Sequence, residues 1–173
     1  MAKPTSIIQP IVYDMMLLAQ ALNGLLKYVG CKRQDARFPK RENALGSALV
    51  RIRSLAEFWG GTDPTNKGKS TKGKDIVTVE SMNPQWQPDK IFYAACWQPI
   101  SEYVDHPIDK RYRKTTKRPT VRFAQRHGLA ILAKTQNEMD QRIHRGEISL
   151  VGDAEGWYKT FQRLFQNYLA SKP

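Results

Sequence analysis

Residues Asn43 to Trp59 read NALGSALVRIRSLAEFW, and their spacing decides what kind of fold to expect. Leu45, Ala48, Leu49, Ile52, Leu55, Ala56 and Trp59 follow one another at steps of three, one, three, three, one and three. That is the repeat of a helix with one apolar face, not the alternation of a half-buried strand. Arg51, Arg53, Ser54 and Glu57 take the other face, and Gly60 with Gly61 marks the stop.

The same periodicity extends in both directions along the chain. Upstream, Pro10 to Val29 predicts a first helix. Pro10 suits its first turn, where the missing amide hydrogen is not needed, and Val12, Met15, Met16, Ala19, Leu22, Leu25, Leu26 and Val29 form its stripe before Gly30. Downstream, GGTDPTNKGKSTKGK at Gly60 to Lys74 has almost no apolar residue and reads as a mobile surface loop. DIVTVESM has β-branched alternation but no partner strand, so it reads as an irregular or edge segment. A further helix runs from Asp89 to Trp97, after which Pro99 either kinks it or opens a short new one. Thr120 is placed to cap a helix toward Gly146 with Leu129, Leu132, Met139 and Ile143 on one stripe, and Asp153 to cap GWYKTFQRLFQNYLA. In that last helix Trp157, Phe161, Leu164, Phe165, Tyr168 and Leu169 form the broad apolar face.

Four to five amphipathic helices with little strand signal predict an all-α bundle. At 173 residues and 40% apolar content, one domain over 1–173 can bury its own core, with a flexible loop at about 60–75 and a basic connector at about 107–119.

Charge narrows the partner. The formal net charge is +12, from 28 Lys plus Arg against 16 Asp plus Glu. Residues 110–173 carry fourteen of those cations and only five of the acids, whereas 61–109 carry five cations and seven acids. An excess concentrated in this way fits a polyanion. It is densest in KRYRKTTKRPTVRFAQRH, Lys110 to His127, with eight cations, no acid and two interleaved aromatics. Lys110, Arg111, Arg113, Lys114, Lys117, Arg118, Arg122 and Arg126 are the expected phosphate contacts, and Tyr112 and Phe123 the expected stacking platforms. The half before Pro119 has no helical pattern, whereas Arg122 and Arg126 belong to the helix that starts near Thr120.

Other classes find little support. Cys31 and Cys96 form no CxxC and have no His at zinc spacing, so no metal or other cofactor is expected, and two distant thiols suit a reduced, cytoplasmic setting. Gln9, Pro10 and Asp14 interrupt the apolar N-terminal run, which argues against a signal peptide or a membrane span. The nucleotide, hydrolase and zinc-protease motifs are all missing; GKST in the loop has neither the preceding Gly of a phosphate-binding loop nor a strand before it.

Three histidines could carry acid–base chemistry: His106, His127 and His144. His106 closes ISEYVDH between Asp105 and Asp109, which would orient an imidazole or simply offset the cations that follow. His127 lies five residues after Arg122. On a regular helix five steps of about 100° leave the two roughly 140° apart, so they would not converge on one small site.

The run NALGSALVRIRSLAEFW, then DIVTVESMNPQW, then ISEYVDHPIDKR resembles, over about Asn43 to Arg111, small bacterial helical proteins of the HEPN class. The resemblance implies an all-α fold, homodimers, and in active members metal-independent cleavage of RNA by an Arg and a His brought together at the dimer interface. Arg122 and His127 match the spacing of that signature, but Phe123 stands where it has a polar residue. His106 matches the turn position but has no Arg four to six residues upstream; Arg51 and Arg53 on the preceding helix are the nearest helical arginines. Such cleavage needs a base for the 2′-hydroxyl, an acid for the leaving oxygen and a cation for the phosphorane.

The sequence therefore predicts a basic helical domain that binds nucleic acid, RNA before DNA, with no membrane partner. The alternatives are a metal-independent endoribonuclease of toxin or phage-defence type, with His106 or His127 and Arg122 as its working groups, and a non-enzymatic scaffold whose basic surface meets an acidic protein and whose aromatic face from Trp157 to Tyr168 serves as dimer surface or core.

Overall fold

The computed structural model describes residues 4–60, 88–104 and 119–171. Among these, five α-helices and no strand are present: α1, Pro4–Leu26; α2, Phe38–Gly60; α3, Lys90–Val104; α4, Val121–His144; and α5, Asp153–Ala170. The expected all-α bundle is what forms. The 60–75 loop beyond Gly60, DIVTVESM, His106 and the connector residues before Pro119 lie outside the described residues.

The helix α2 stripe is buried as its spacing requires: Leu45, Ala48, Leu49, Ile52, Leu55, Ala56 and Trp59 are all within the core. Around it, α1 packs against α2, α4 and α5, while α2 also carries α3 and α4. Buried residues from all five helices join in one apolar cluster. Burying them together is what makes each amphipathic helix stable, since helices of this length gain most of their stability from packing.

Three details depart from the expectations of the sequence. Helix α1 begins at Pro4, and Pro10 lies inside it. Ile8 and Ile11 are buried, so the apolar stripe continues upstream of Pro10 and its burial carries the helix past the missing amide. Pro4 takes the first-turn place expected of Pro10. At the other end α1 tightens after Leu26 into successive three-residue turns, Lys27 amide to Gly24 carbonyl, Tyr28 to Leu25 and Val29 to Leu26. This change of period swings Val29 off the stripe, and it is exposed. Finally, Asp153 is the first residue of α5 rather than its cap. Gly152, at φ 60°, holds the cap position with no side-chain bond, so Asp153 and Glu155 assist by placing negative charge in the first turn.

Pro99 neither ends α3 nor starts a new helix. Cys96 and Ile100, on either side of it, are both fully buried, and the carbonyl deprived of its donor belongs to Ala95, which is exposed.

Contacts between helices set their directions. Gly128 of α4 lies against Leu22 and Ile52, and seven residues further on Thr135 accepts the Trp59 indole hydrogen bond at 2.9 Å. Thus α4 runs alongside α2 in the same direction. Helix α3 runs opposite to α2, since the Asp89 amide meets the Trp59 carbonyl at 2.9 Å and Trp97 meets Glu57. Helix α5 follows α1, with Tyr13 beside Trp157 and the Asn23 amide donating to the Leu164 carbonyl at 2.8 Å. The N-terminal turns of α2 and α4 and the C-terminal end of α1 consequently lie toward one end of the bundle. No helix among the described residues is long and apolar enough to cross a membrane.

Candidate nucleic-acid interface

Thr120 starts α4 in extended backbone geometry, and its hydroxyl accepts the Phe123 amide at 3.1 Å, the arrangement of an N-cap. The first two turns then display Arg122 and Arg126, both exposed. Neither has an acidic partner among the described residues. The first turn of α4 contains no acid, although the positive end of a helix dipole favours one and disfavours cations. Helix α2 likewise opens without an acid, on Lys40 and Arg41. Of these three helices, α5 alone has the first-turn acids that dipole electrostatics prefer.

Phe123, expected as a stacking platform, is instead half-buried against the apolar cluster. Its ring also lies 4.2 Å, centroid to centroid, from that of His127. The imidazole Nδ1 of His127 stands 3.3 Å from the Cys96 sulfur on α3. Burial, with a smaller contribution from Arg126, holds the His127 pKa below its ordinary value. Burial and then the charge of Asp89 push the Cys96 thiol up to about 11. Both groups are therefore neutral at physiological pH, unlike the thiolate and imidazolium of an activated pair. Because α4 is a continuous helix, Arg122 faces solvent while His127 faces α3, and one chain does not bring them together. His106, Lys110, Arg111, Tyr112, Arg113, Lys114, Lys117 and Arg118 lie outside the described residues. His144 is exposed at the last turn of α4, where a cation suits the helix dipole.

A second polar constellation joins α2, α3 and α4. Asp89 caps α3 by accepting the Phe92 amide at 2.9 Å and pairs with Lys134 at 3.0 Å. Burial would raise its pKa, but the Phe92 amide and the Lys134 charge outweigh that and lower it. The Lys134 ammonium lies 4.7 Å from the Trp59 ring centroid, Trp97 donates to Glu57 at 2.8 Å, and Glu57 also pairs with Arg53 at 3.0 Å. These groups satisfy one another, so they read as a joint between helices.

The polar face of α2 is used in the same way against α1. Asp14, buried, accepts from Arg51 at 2.5 Å and from the Ser54 hydroxyl, partners that a buried carboxylate needs. The helix period places Arg51 and Ser54 on the polar face, and it cannot show that a neighbouring helix brings an acid to them.

One charged segment is hidden when charge is counted over the whole of 1–60. Residues 27–41, joining α1 to α2, hold six cations and one acid, an excess that a window of that width reveals. No protein-family model matches the chain, and no curated protein or solved structure does either.

Proposed function

We propose that the protein binds nucleic acid, RNA in preference to DNA, through its cationic surface. The observation that carries this reading is the start of α4, where a capped helix holds two exposed arginines, without an acidic partner among the described residues, at the end that its own dipole makes positive. Cations so placed repel the helix end when the protein is alone, by about 0.3–1 kcal/mol each, and a bound phosphate removes the repulsion. The basic run Lys110 to Arg118 leads directly into this helix in sequence and adds six more cations to the same reading. A reducing, cytoplasmic setting goes with it, supported by the two free and buried thiols. The geometry of His127 favours binding over cleavage, since its Nδ1 faces Cys96 and its pKa is lowered by burial.

The test is retention of a short single-stranded RNA as salt is raised from about 50 to 200 mM. Wild-type protein is expected to lose affinity linearly on a log–log plot, and Arg122→Gln with Arg126→Gln to flatten the slope by about 0.7 for each phosphate no longer neutralised. A matching DNA should bind more weakly. Failure to retain any nucleic acid at low salt overturns the proposal. RNA recovered cut in the presence of EDTA, and intact with His127→Ala, would replace it with the ribonuclease reading.

A further inference from the structure

The segment between α1 and α2 is charged and also structured, and its order bears on what it can do. After the three tight turns that end α1, Gly30 at φ +76° reverses the chain and Cys31 is buried beneath the loop. Two more turns follow, the Asp35 amide to the Lys32 carbonyl at 3.0 Å and the Phe38 amide to the Asp35 carbonyl at 2.9 Å. Arg41 closes the loop from above: its guanidinium reaches the Cys31 carbonyl at 3.4 Å and lies 5.3 Å from the Phe38 ring centroid. The segment is therefore a series of hydrogen-bonded turns pinned at both ends.

On this frame Lys27, Lys32, Arg33, Arg37 and Lys40 are all exposed. Asp35 is the one acid in the segment, and it meets Arg37 at 3.4 Å. Lys27, Lys32, Arg33 and Lys40 have no acidic partner among the described residues. A loop serving only to join two helices needs polarity, not four cations without an acidic partner among the described residues on a pinned backbone. Like charges kept close repel one another, and their fixed placement lowers the ordering cost of binding a polyanion. Several Lys and Arg displayed along a short path offer contacts to successive phosphates of a nucleic-acid backbone, which position a strand without reading its sequence.

We infer that the ordered α1–α2 loop is a second contact surface for the phosphodiester backbone of RNA, with Lys27, Lys32, Arg33 and Lys40 neutralising phosphates while Arg41 and Cys31 hold the loop's shape. This rests on the nucleic-acid reading above and adds a site to it. The loop and the first turns of α4 lie toward the same end of the bundle, so a single strand can meet both. A bilayer surface fits less well, because Val29 is the one large apolar side chain exposed in this loop, and peripheral membrane binding needs an apolar face to insert.

The experiment uses the full chain with a short uridine-rich single-stranded RNA and three proteins: wild type, a K32Q/R33Q/K40Q variant, and a charge-keeping K32R/R33K/K40R variant. The neutralised loop is expected to flatten the log–log salt dependence by about 2, at about 0.7 per phosphate, and the charge-keeping variant to retain the wild-type slope. Independently of any variant, ultraviolet crosslinking of wild-type protein to the RNA should label peptides within 27–41. Wild-type binding with an unchanged slope in the neutralised variant and no crosslink in the loop overturns this inference while leaving the α4 interface standing. Absence of wild-type RNA binding overturns both. Binding of the loop to anionic phosphatidylserine vesicles but not to RNA, abolished in the neutralised variant, overturns the assignment of RNA.

Discussion

The imidazole of His127 is half-buried between α3 and α4, where burial favours its uncharged form. In the unfolded chain its pKa is about 6.5; in the fold it is lower, so the unfolded state takes up the proton first as pH falls. The stability associated with the neutral ring is full above about 6.5 and is lost as pH drops through that value toward the lower folded pKa. Wild type is therefore expected to lose more stability between neutral and mildly acidic pH than His127→Gln, measured as the denaturant midpoint at each pH. Parallel profiles would show that the ring does not contribute. The Cys96 thiol, pushed up to about 11, stays protonated throughout and does not interfere. Nothing in the local sequence RFAQRH indicates any of this, because Cys96 comes from another helix.

At the scale of elements, α4 and α5 solve the same problem differently. The Thr120 hydroxyl satisfies an amide of α4, whereas α5 starts from Gly152 with no side-chain cap and has acids in its first turn instead. Thr120→Ala should destabilise the protein by about 1 kcal/mol in a denaturant titration, and Thr120→Ser should restore most of it. Since the affected turns display Arg122 and Arg126, the same substitution should weaken RNA retention without removing a cation. Equal stability of the alanine variant would show that the cap contributes nothing. The Thr120 cap and the apolar stripes of these helices were legible because they depend on residues within a few positions of each other, whereas Asp153, expected as the cap of α5, proved to be its first residue. The start of α1 was not, because burial of Ile8 and Ile11 against the rest of the bundle outweighs the break that Pro10 alone suggests.

For the whole molecule, a close approach of three helices is at Gly128, which lets α4 sit against α1 and α2 at once. A Cβ there would lie 3.0 and 3.1 Å from the Leu22 methyls and 3.5 Å from that of Ile52. Gly128→Val should accordingly push α4 outward and cost about 1–3 kcal/mol, visible in thermal or chemical unfolding. Gly46→Ala, with open space around the added carbon, should instead stabilise α2 by about 0.5–1 kcal/mol. A neutral result for Gly128→Val would mean that the three helices are not tightly packed at that point.

The sequence by itself determined that the described part of this chain is helical, most of the apolar face that each helix buries, with Val29 and Leu169 exposed instead, and how its charge is distributed, because the helical period and net charge depend only on residue order. It also identified Arg122 and Arg126 as cations on a helix. Only the tertiary structure decided that Arg51 and Ser54 serve a buried Asp14, that Phe123 packs inward and that His127 is matched with Cys96. The same holds for the α1–α2 loop, whose cations count as a surface because Cys31 and Arg41 hold its turns in place. These depend on contacts between residues far apart in the chain, and packing chooses among the partners that local patterns leave open.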